Sequence, residues 1–243
     1  MSCSEIDDSK YITTKFFEGD VLAKLKMWIA QSEFIDGIYS FSNCCMDDSE
    51  ESKNIKRKTK RNEELNIDAQ SFFYLNDPEP FNDEWVDFCH PKRNGSVMVT
   101  KTEQGGYYRA HFDSPANGHY STTIFLNDPS EYEGGELGLW IDGEEKKFKL
   151  PAGHGIVYET GIPHHVNTVT KGERLVVVFW TCSTLSVRED LYRWRYYQKK
   201  INELKAQGVD TSGNFVGTLK EFVNTECHQL RMKKEEIERK YVG

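Results

Sequence analysis

No apolar run in this sequence approaches the roughly 20 residues that a membrane-spanning helix needs. The longest greasy stretch, Leu175 to Trp180, has only a strand's length. The N-terminal stretch MSCSEIDDSK has no apolar core, so no secretory signal is expected. Basic residues are in deficit, with 31 Lys and Arg against 39 Asp and Glu and a formal net charge of -8. That balance argues against a general nucleic-acid binder, which needs surplus cationic side chains to meet phosphates. The six cysteines form no CxxC pair, and adjacent Cys44 and Cys45 make a poor disulfide or zinc signature. Reduced thiols and an intracellular, cytoplasmic location are therefore expected. There is no internal repeat and no low-complexity tract. What is present is 243 residues, 37% hydrophobic and 13% aromatic, enough for one medium domain with a sizeable core and an appended tail.

Residues 1–14 are polar and are expected to be loose. Phe16 to Phe34 predicts a helix, with Val21, Leu22, Leu25, Trp28 and Ile29 on one apolar face. Residues 46–64 run from acidic (Asp47, Asp48, Glu50, Glu51) to basic (Lys53, Lys56, Arg57, Lys58, Lys60, Arg61). A solvated loop leading into a helix is the simpler reading, and a nuclear-localisation or nucleic-acid patch the sharper one.

From about residue 71 short alternating segments appear between Gly, Pro, Asn and Asp. They are 96–101, 107–113, 121–126, 136–141, 146–150, 155–159 and 175–181. This pattern predicts an antiparallel β sandwich or jelly roll, with Asp142-Gly143 as a hairpin turn. The fold class is thus mainly β with flanking helices (α+β). Residues 187–206 predict an amphipathic helix through Leu191, Trp194, Tyr197, Ile201 and Leu204. The segment 208–213 breaks it, and 215–241 predicts a second, charged helix with few apolar positions.

The informative segment is 105–113, GGYYRAHFD. His111 and Asp113 stand two apart on a predicted strand, so their side chains share a face with Cα atoms about 6.6 Å apart. One cation can sit between their tips. A third ligand would complete a two-histidine, one-carboxylate face, which leaves positions open and suits non-haem Fe(II). His164 and His165, between two later strands, are the two candidates. An HxD pair alone is weak, since many surface loops carry one. Order and spacing strengthen it: HxD, a strand, a Gly-Gly turn, two strands, a histidine, and then Arg174 at the head of an apolar strand. A guanidinium there suits bidentate capture of a carboxylate.

At this point the chain resembles a known family. GGYYRAHFD (105–113) is similar to the iron-binding strand of prolyl 4-hydroxylases. STTIFLNDPSEYEGGELGL (121–139), LPAGHGIVYETGIPHHVNTVTKGERLVVVFW (150–180) and SVRED (186–190) resemble the PKHD-type hydroxylases of the Fe(II)/2-oxoglutarate oxygenase superfamily. Weaker echoes at 34–37 and 60–65 extend the resemblance to about 16–205. It implies a double-stranded β-helix core. It also implies Fe(II) on His111, Asp113 and His164 rather than His165, and 2-oxoglutarate held by Arg174 and Tyr108. Dioxygen would be the second co-substrate, ascorbate an accessory reductant, and 2-oxoglutarate would be decarboxylated to succinate as a C–H bond is hydroxylated. Collagen-type prolyl hydroxylases carry lysine at the position of Arg174, so the arginine points to the PKHD group. By analogy the substrate is a prolyl residue in a peptide or protein. A free amino acid or other small molecule is the alternative, nucleic acid is disfavoured by the acidic balance, and no membrane partner is expected. The rival from another class is a non-catalytic metal-binding jelly-roll module.

Other positions have plainer readings. His154 should cap or solvate a turn, and His165 should face away from the metal. His90, His119 and His228 have no ligand spacing. Trp180 is a core residue that could line the substrate mouth, and Arg109 shares the face of His111 if strand alternation holds. The expected division is a domain over 1–205, with a helical part at 16–66 and a jelly-roll core over about 71–186, followed by a charged extension at 206–243. The loops at 46–66 and 76–95 would flank the mouth.

Overall fold

A computed structural model of the chain describes residues 7–36, 62–67, 82–211 and 224–242. It divides into two compact units, Lys10–Ser183 and Met1–Ser9 with Thr184–Gly243. The basic run 53–61 and the first parts of both expected loops lie outside the described residues.

The alternating segments of the larger unit form antiparallel strands, as their period requires. A seven-stranded sheet has the order β1 (Tyr11–Lys15), β10 (His154–Glu159), β6 (Tyr120–Phe125), β13 (Glu173–Ser183), β4 (Pro91–Glu103), β3 (Asn62–Ile67), β2 (Ile35–Asp36). A four-stranded sheet runs β5 (Tyr108–His111), β11 (His164–Val166), β8 (Leu137–Ile141), β9 (Glu144–Phe148). A short ribbon pairs β7 (Glu133–Gly134) with β12 (Val169–Lys171). The architecture is the expected jelly roll with flanking helices.

Phe125, Leu137, Leu139, Ile141, Ile156, Tyr158 and Val176 form the apolar cluster of this unit. On β13, alternation sets Arg174, Val176, Val178 and Trp180 on one side and Val177 and Phe179 on the other. The large sheet is covered on that second side too. Phe16 and Trp85 meet the Phe179 ring at centroid distances of 6.5 and 6.4 Å. Burial on both faces explains why β13 reads as the continuous run LVVVF rather than as an alternation.

Several expectations change. Residues 1–14 are not loose throughout, because Tyr11–Lys15 pairs with β10 and satisfies backbone groups at the sheet edge. Helix α1 spans Gly19–Ala30 rather than 16–34, burying Leu25 and Ile29 while Trp28 stays 38% exposed. Phe16 and Phe17 precede it, and both backbone N–H groups donate to the Gly153 carbonyl at 2.9 and 3.1 Å. The expected loop 76–95 contains helix α2 (Asp83–Cys89), capped by the Asn82 side chain on the Trp85 N–H at 2.9 Å, and then the start of β4. The end of the expected loop 46–66 is strand β3, held by its register with β4. The Asp142-Gly143 hairpin forms as read, with φ of 53° and 85°.

In the smaller unit, α3 (Arg188–Ala206) buries Leu191, Tyr192, Trp194, Arg195, Tyr197 and Ile201, and α4 (Glu226–Glu238) buries Cys227 and Ile237. Trp194 donates its indole N–H to Glu238 at 2.8 Å, and Asp190 accepts from Lys240 and Tyr241 at 2.7 and 2.9 Å. Cys89, Cys182 and Cys227 are free thiols. No helix among the described residues is long and apolar enough to cross a membrane.

Candidate metal centre

Strands β5 and β11 lie side by side with His111 directly opposite His164. Their imidazole rings are 4.2 Å apart, tilted by 53°. Asp113, just past the end of β5, turns its carboxylate towards both. His111 Nε2 is 3.7 Å from Oδ1 and His164 Nε2 is 3.7 Å from Oδ2. Among the described residues, these three side chains form a group whose ligand atoms all lie within 4.8 Å of one another.

The hydrogen bonds behind these atoms define what they offer. His111 Nδ1 meets the Arg109 carbonyl at 2.9 Å, and His164 Nδ1 meets the Ile162 carbonyl at 2.9 Å. A carbonyl only accepts, so each Nδ1 carries the proton and each Nε2 is left with a lone pair. Asp113 Oδ2 accepts from the Ser121 hydroxyl at 2.7 Å and from the Trp180 indole N–H at 2.9 Å. Two lone pairs and a carboxylate converging on one point repel each other. A cation between them turns the repulsion into coordination, and the donor set of two imidazoles and one carboxylate suits Fe(II).

Tyr108 and His111 are three residues apart, so strict alternation would set them on opposite faces. Instead their rings meet edge-on, with centroids 4.6 Å apart. The cause lies in the register, where Val166 pairs with Tyr108 and His164 with His111. Two steps on β11 therefore oppose three on β5, and this bulge turns Tyr108 to the side of His111. Arg109 is half-buried, and its carbonyl meets His111 Nδ1.

Arg174, at the start of β13, is only 3% exposed. Its guanidinium carbon lies 5.4 Å from the centre of the Phe125 ring, and its Nε has no hydrogen-bond partner among the described residues. Burial disfavours its charge and lowers its pKa, an effect opposed by the nearby Tyr132 and Tyr158. Tyr158 is fully buried, with its ring 5.3 Å from that of His164. Burial first, and then the Asp113 charge, push its phenol well above the ordinary range, while Thr123 and Ser121 bond to it. The Tyr158 hydroxyl is thus partnered and protonated between the three-residue cluster and Arg174.

Trp180, read as a core residue that could line the substrate mouth, is half-buried and donates its indole N–H to Asp113. That position was legible from parity, since Trp180 stands six residues from Arg174 on one strand. Ser121 and Tyr158 were not singled out by the sequence, although hydroxyls in otherwise apolar strands hinted at an internal polar surface. His165 reaches Glu145 at 2.6 Å, away from the three-residue cluster, and His154 opens β10 beside its turn. His119 Nδ1 accepts from the Ser183 N–H at 3.0 Å, and His90 caps α2 in the left-handed region at φ 43°.

Residues 95–182 match the sequence profile of the 2OG-Fe(II) oxygenase superfamily. A PKHD-type hydroxylase of Thioalkalivibrio sulfidiphilus is 32% identical over 165 residues, which is 63% of this chain and 69% of that protein. The chain belongs to the PKHD-type hydroxylase family of 2OG-Fe(II) oxygenases. A PKHD-type hydroxylase of Prochlorococcus marinus is 41% identical over 107 residues, covering 42% of this chain and 48% of that one. Another, from Thermosynechococcus vestitus, is 38% identical over 134 residues, covering 51% and 60%. The chain thus spans about half the length of these curated PKHD-type relatives. Among solved structures, a Pseudomonas putida prolyl-4-hydroxylase superposes with a TM-score of 0.51 at 19% identity, covering 72% of this chain and 94% of that one. HygX from Streptomyces hygroscopicus, with nickel and 2-oxoglutarate bound, superposes at 0.51 and 9% identity, covering 70% and 82%. At these identities the likeness establishes the jelly-roll fold. Membership of the 2OG-Fe(II) oxygenases implies Fe(II), 2-oxoglutarate and dioxygen. The donor set of the three-residue cluster and the unpartnered Nε of Arg174 fit the first two.

Proposed function

We propose that this PKHD-type chain is a hydroxylase in which His111, Asp113 and His164 hold Fe(II) and Arg174 holds the distal carboxylate of 2-oxoglutarate. One observation carries the reading: two imidazole lone pairs and a carboxylate converge within 4.8 Å, on the same barrel interior as a buried arginine whose Nε lacks a partner. A binding module has no need of such an arginine, whose uncompensated burial is unfavourable. When bound, Fe(II) with 2-oxoglutarate and dioxygen supplies an oxidant strong enough to break a C–H bond. In the overall balance one dioxygen, one 2-oxoglutarate and one C–H give C–OH, succinate and carbon dioxide. The chain's own part is to hold and exclude. The Arg109 and Ile162 carbonyls hold both rings in the tautomer that turns the Nε2 lone pair towards the cluster, Ser121 and Trp180 orient Asp113, and the apolar cluster keeps the interior dry. Tyr108, edge-on to the His111 ring, would meet the 2-oxoglutarate carboxylate alongside Arg174. Ascorbate would act only to keep the iron ferrous.

The proposed substrate is a prolyl residue in a peptide or protein, which agrees with the fold shared with the prolyl-4-hydroxylase. The test is an anaerobic titration of metal-free protein with Fe(II) and then 2-oxoglutarate, followed by admission of air with proline-containing peptides or free amino acids. A visible charge-transfer band that needs both additions, then succinate release and peptides gaining one oxygen, is the expected result. A band with oxygen gained only by free amino acids moves the substrate to small molecules. Bound metal with no band leaves a metal-binding module.

A further inference from the structure

Tyr132 lies in the turn between β6 and β7. It is 3% exposed, and its hydroxyl is buried with no hydrogen-bond partner among the described residues. An unpaired buried hydroxyl is unfavourable by the desolvation it suffers, so its place in a folded chain calls for a reason.

The reason is beside it. Gly135 sits at φ +68°, and a Cβ built there would stand 3.0 Å from Tyr132 Cε2 and 3.2 Å from Arg174 Cδ. The tyrosine ring edge and the arginine stem therefore both flank the Gly135 backbone, with the Val169 side chain as the third neighbour. Arg174 Nε is likewise buried and unpartnered. Two donors, the Tyr132 hydroxyl and the Arg174 Nε–H, thus flank Gly135, both buried and both without an acceptor among the described residues. The phenol is held in place from behind. Lys149 stands 3.9 Å over the ring centre and donates to the Tyr132 carbonyl at 2.6 Å. Burial raises the Tyr132 pKa, so the hydroxyl stays a donor at neutral pH. Tyr158, the other phenol near Arg174, already has Thr123 and Ser121 as partners.

We propose that the Tyr132 hydroxyl and Arg174 together form the anion-binding end of the pocket, with Tyr132 donating to the distal carboxylate of a dicarboxylate 2-oxoacid. The proposal rests on the co-substrate reading of Arg174 above. It makes Tyr132 a residue that distinguishes a five-carbon dicarboxylate from 2-oxoacids without the second carboxylate, because only the former satisfies both donors.

The experiment compares wild type, Tyr132→Phe and Arg174→Ala. Affinities for Fe(II), 2-oxoglutarate and 2-oxobutyrate, which lacks the distal carboxylate, are read anaerobically from the charge-transfer band. Melting temperatures are read without ligand. Tyr132→Phe should weaken 2-oxoglutarate about tenfold, as expected for a hydrogen bond to a charged group. It should leave Fe(II) and 2-oxobutyrate unchanged. Its ligand-free melting temperature should hold or rise, since an unsatisfied hydroxyl is removed. If Tyr132→Phe binds 2-oxoglutarate within twofold of wild type while Arg174→Ala loses it, the Tyr132 proposal is overturned and the Arg174 reading stands. If Arg174→Ala also binds normally, or wild type does not bind 2-oxoglutarate at all, the pocket reading itself falls and takes the proposal with it.

Discussion

The two oxygens of Asp113 live in different surroundings. Oδ2 takes both protein donors, Ser121 at 2.7 Å and the Trp180 indole at 2.9 Å, while Oδ1 faces His111 Nε2. A carboxylate held this way presents one oxygen in a fixed direction, and its orientation depends on residues that never touch the metal. Trp180→Phe keeps an aromatic ring on β13 and removes the N–H together with part of the indole. It should weaken Fe(II) binding by roughly 10- to 100-fold while the far-ultraviolet circular dichroism stays unchanged. Metal affinity equal to wild type would mean that Ser121 alone orients the carboxylate. His111→Ala removes a half-buried side chain at the end of a short strand, so the fold should survive. Metal content after loading with Fe(II) should fall to background, and full turnover in that variant would overturn the ligand assignment. These residue identities were legible early because HxD and a following histidine have few other reasons to recur in that order. The bracing by Trp180 was not, since it depends on which strands become neighbours.

At the scale of elements, the site is made by an irregularity. A regular pairing of β5 with β11 would turn Tyr108 away from His111, and the bulge between them puts both rings on one side. The Gly134-Gly135 step has a similar role. Both residues have positive φ, at 71° and 68°, and a Cβ on Gly134 would overlap the Thr168 carbonyl. Glycine is therefore required for the β7–β12 ribbon to close beside Arg174. Gly135→Ala adds a methyl against Tyr132, Val169 and Arg174 in a left-handed backbone. It should lower the unfolding free energy by about 1–2 kcal/mol in denaturant titrations from backbone strain alone. The 2-oxoglutarate affinity should fall with it, because the added methyl displaces the arginine stem. Unchanged affinity in a destabilised variant would separate the ribbon from the pocket. The sequence showed Gly-Gly as a turn, but periodicity reports faces, and neither bulges nor left-handed steps have a period.

At the scale of the whole molecule, the interior of the larger unit holds polar groups amid an apolar cluster. Arg174 Nε and the Tyr132 hydroxyl are unsatisfied there, and the Nε2 lone pairs oppose a carboxylate. Such an interior lowers the stability of the ligand-free chain and is relieved by binding. Fe(II) with 2-oxoglutarate at 100 times the dissociation constant should stabilise the folded chain by about 2.7 kcal/mol, seen as a concentration-dependent rise in melting temperature. Chelating the metal should reverse it, and an unchanged melting temperature would remove the binding argument. The same conflict between polarity and burial explains why hydropathy did not reveal the pocket: in the sequence, Ser121, Thr123 and Tyr158 look like ordinary strand residues.

The alternating segments of the jelly roll, the HxD pair and the arginine were legible in the sequence itself, because they follow from period-two alternation and from residue types with narrow chemistry, while His164 was chosen over His165 by the family resemblance. The helix limits, the edge strand Tyr11–Lys15 and helix α2 were decided by tertiary structure. Sheet edges take up backbone groups from whatever segment reaches them, and caps end helices before the apolar pattern does. Tertiary structure also decided which side chains share the pocket. Tyr132 and Arg174 are 42 positions apart in the chain, and both pack against Gly135, whose positive φ and missing side chain leave room for them.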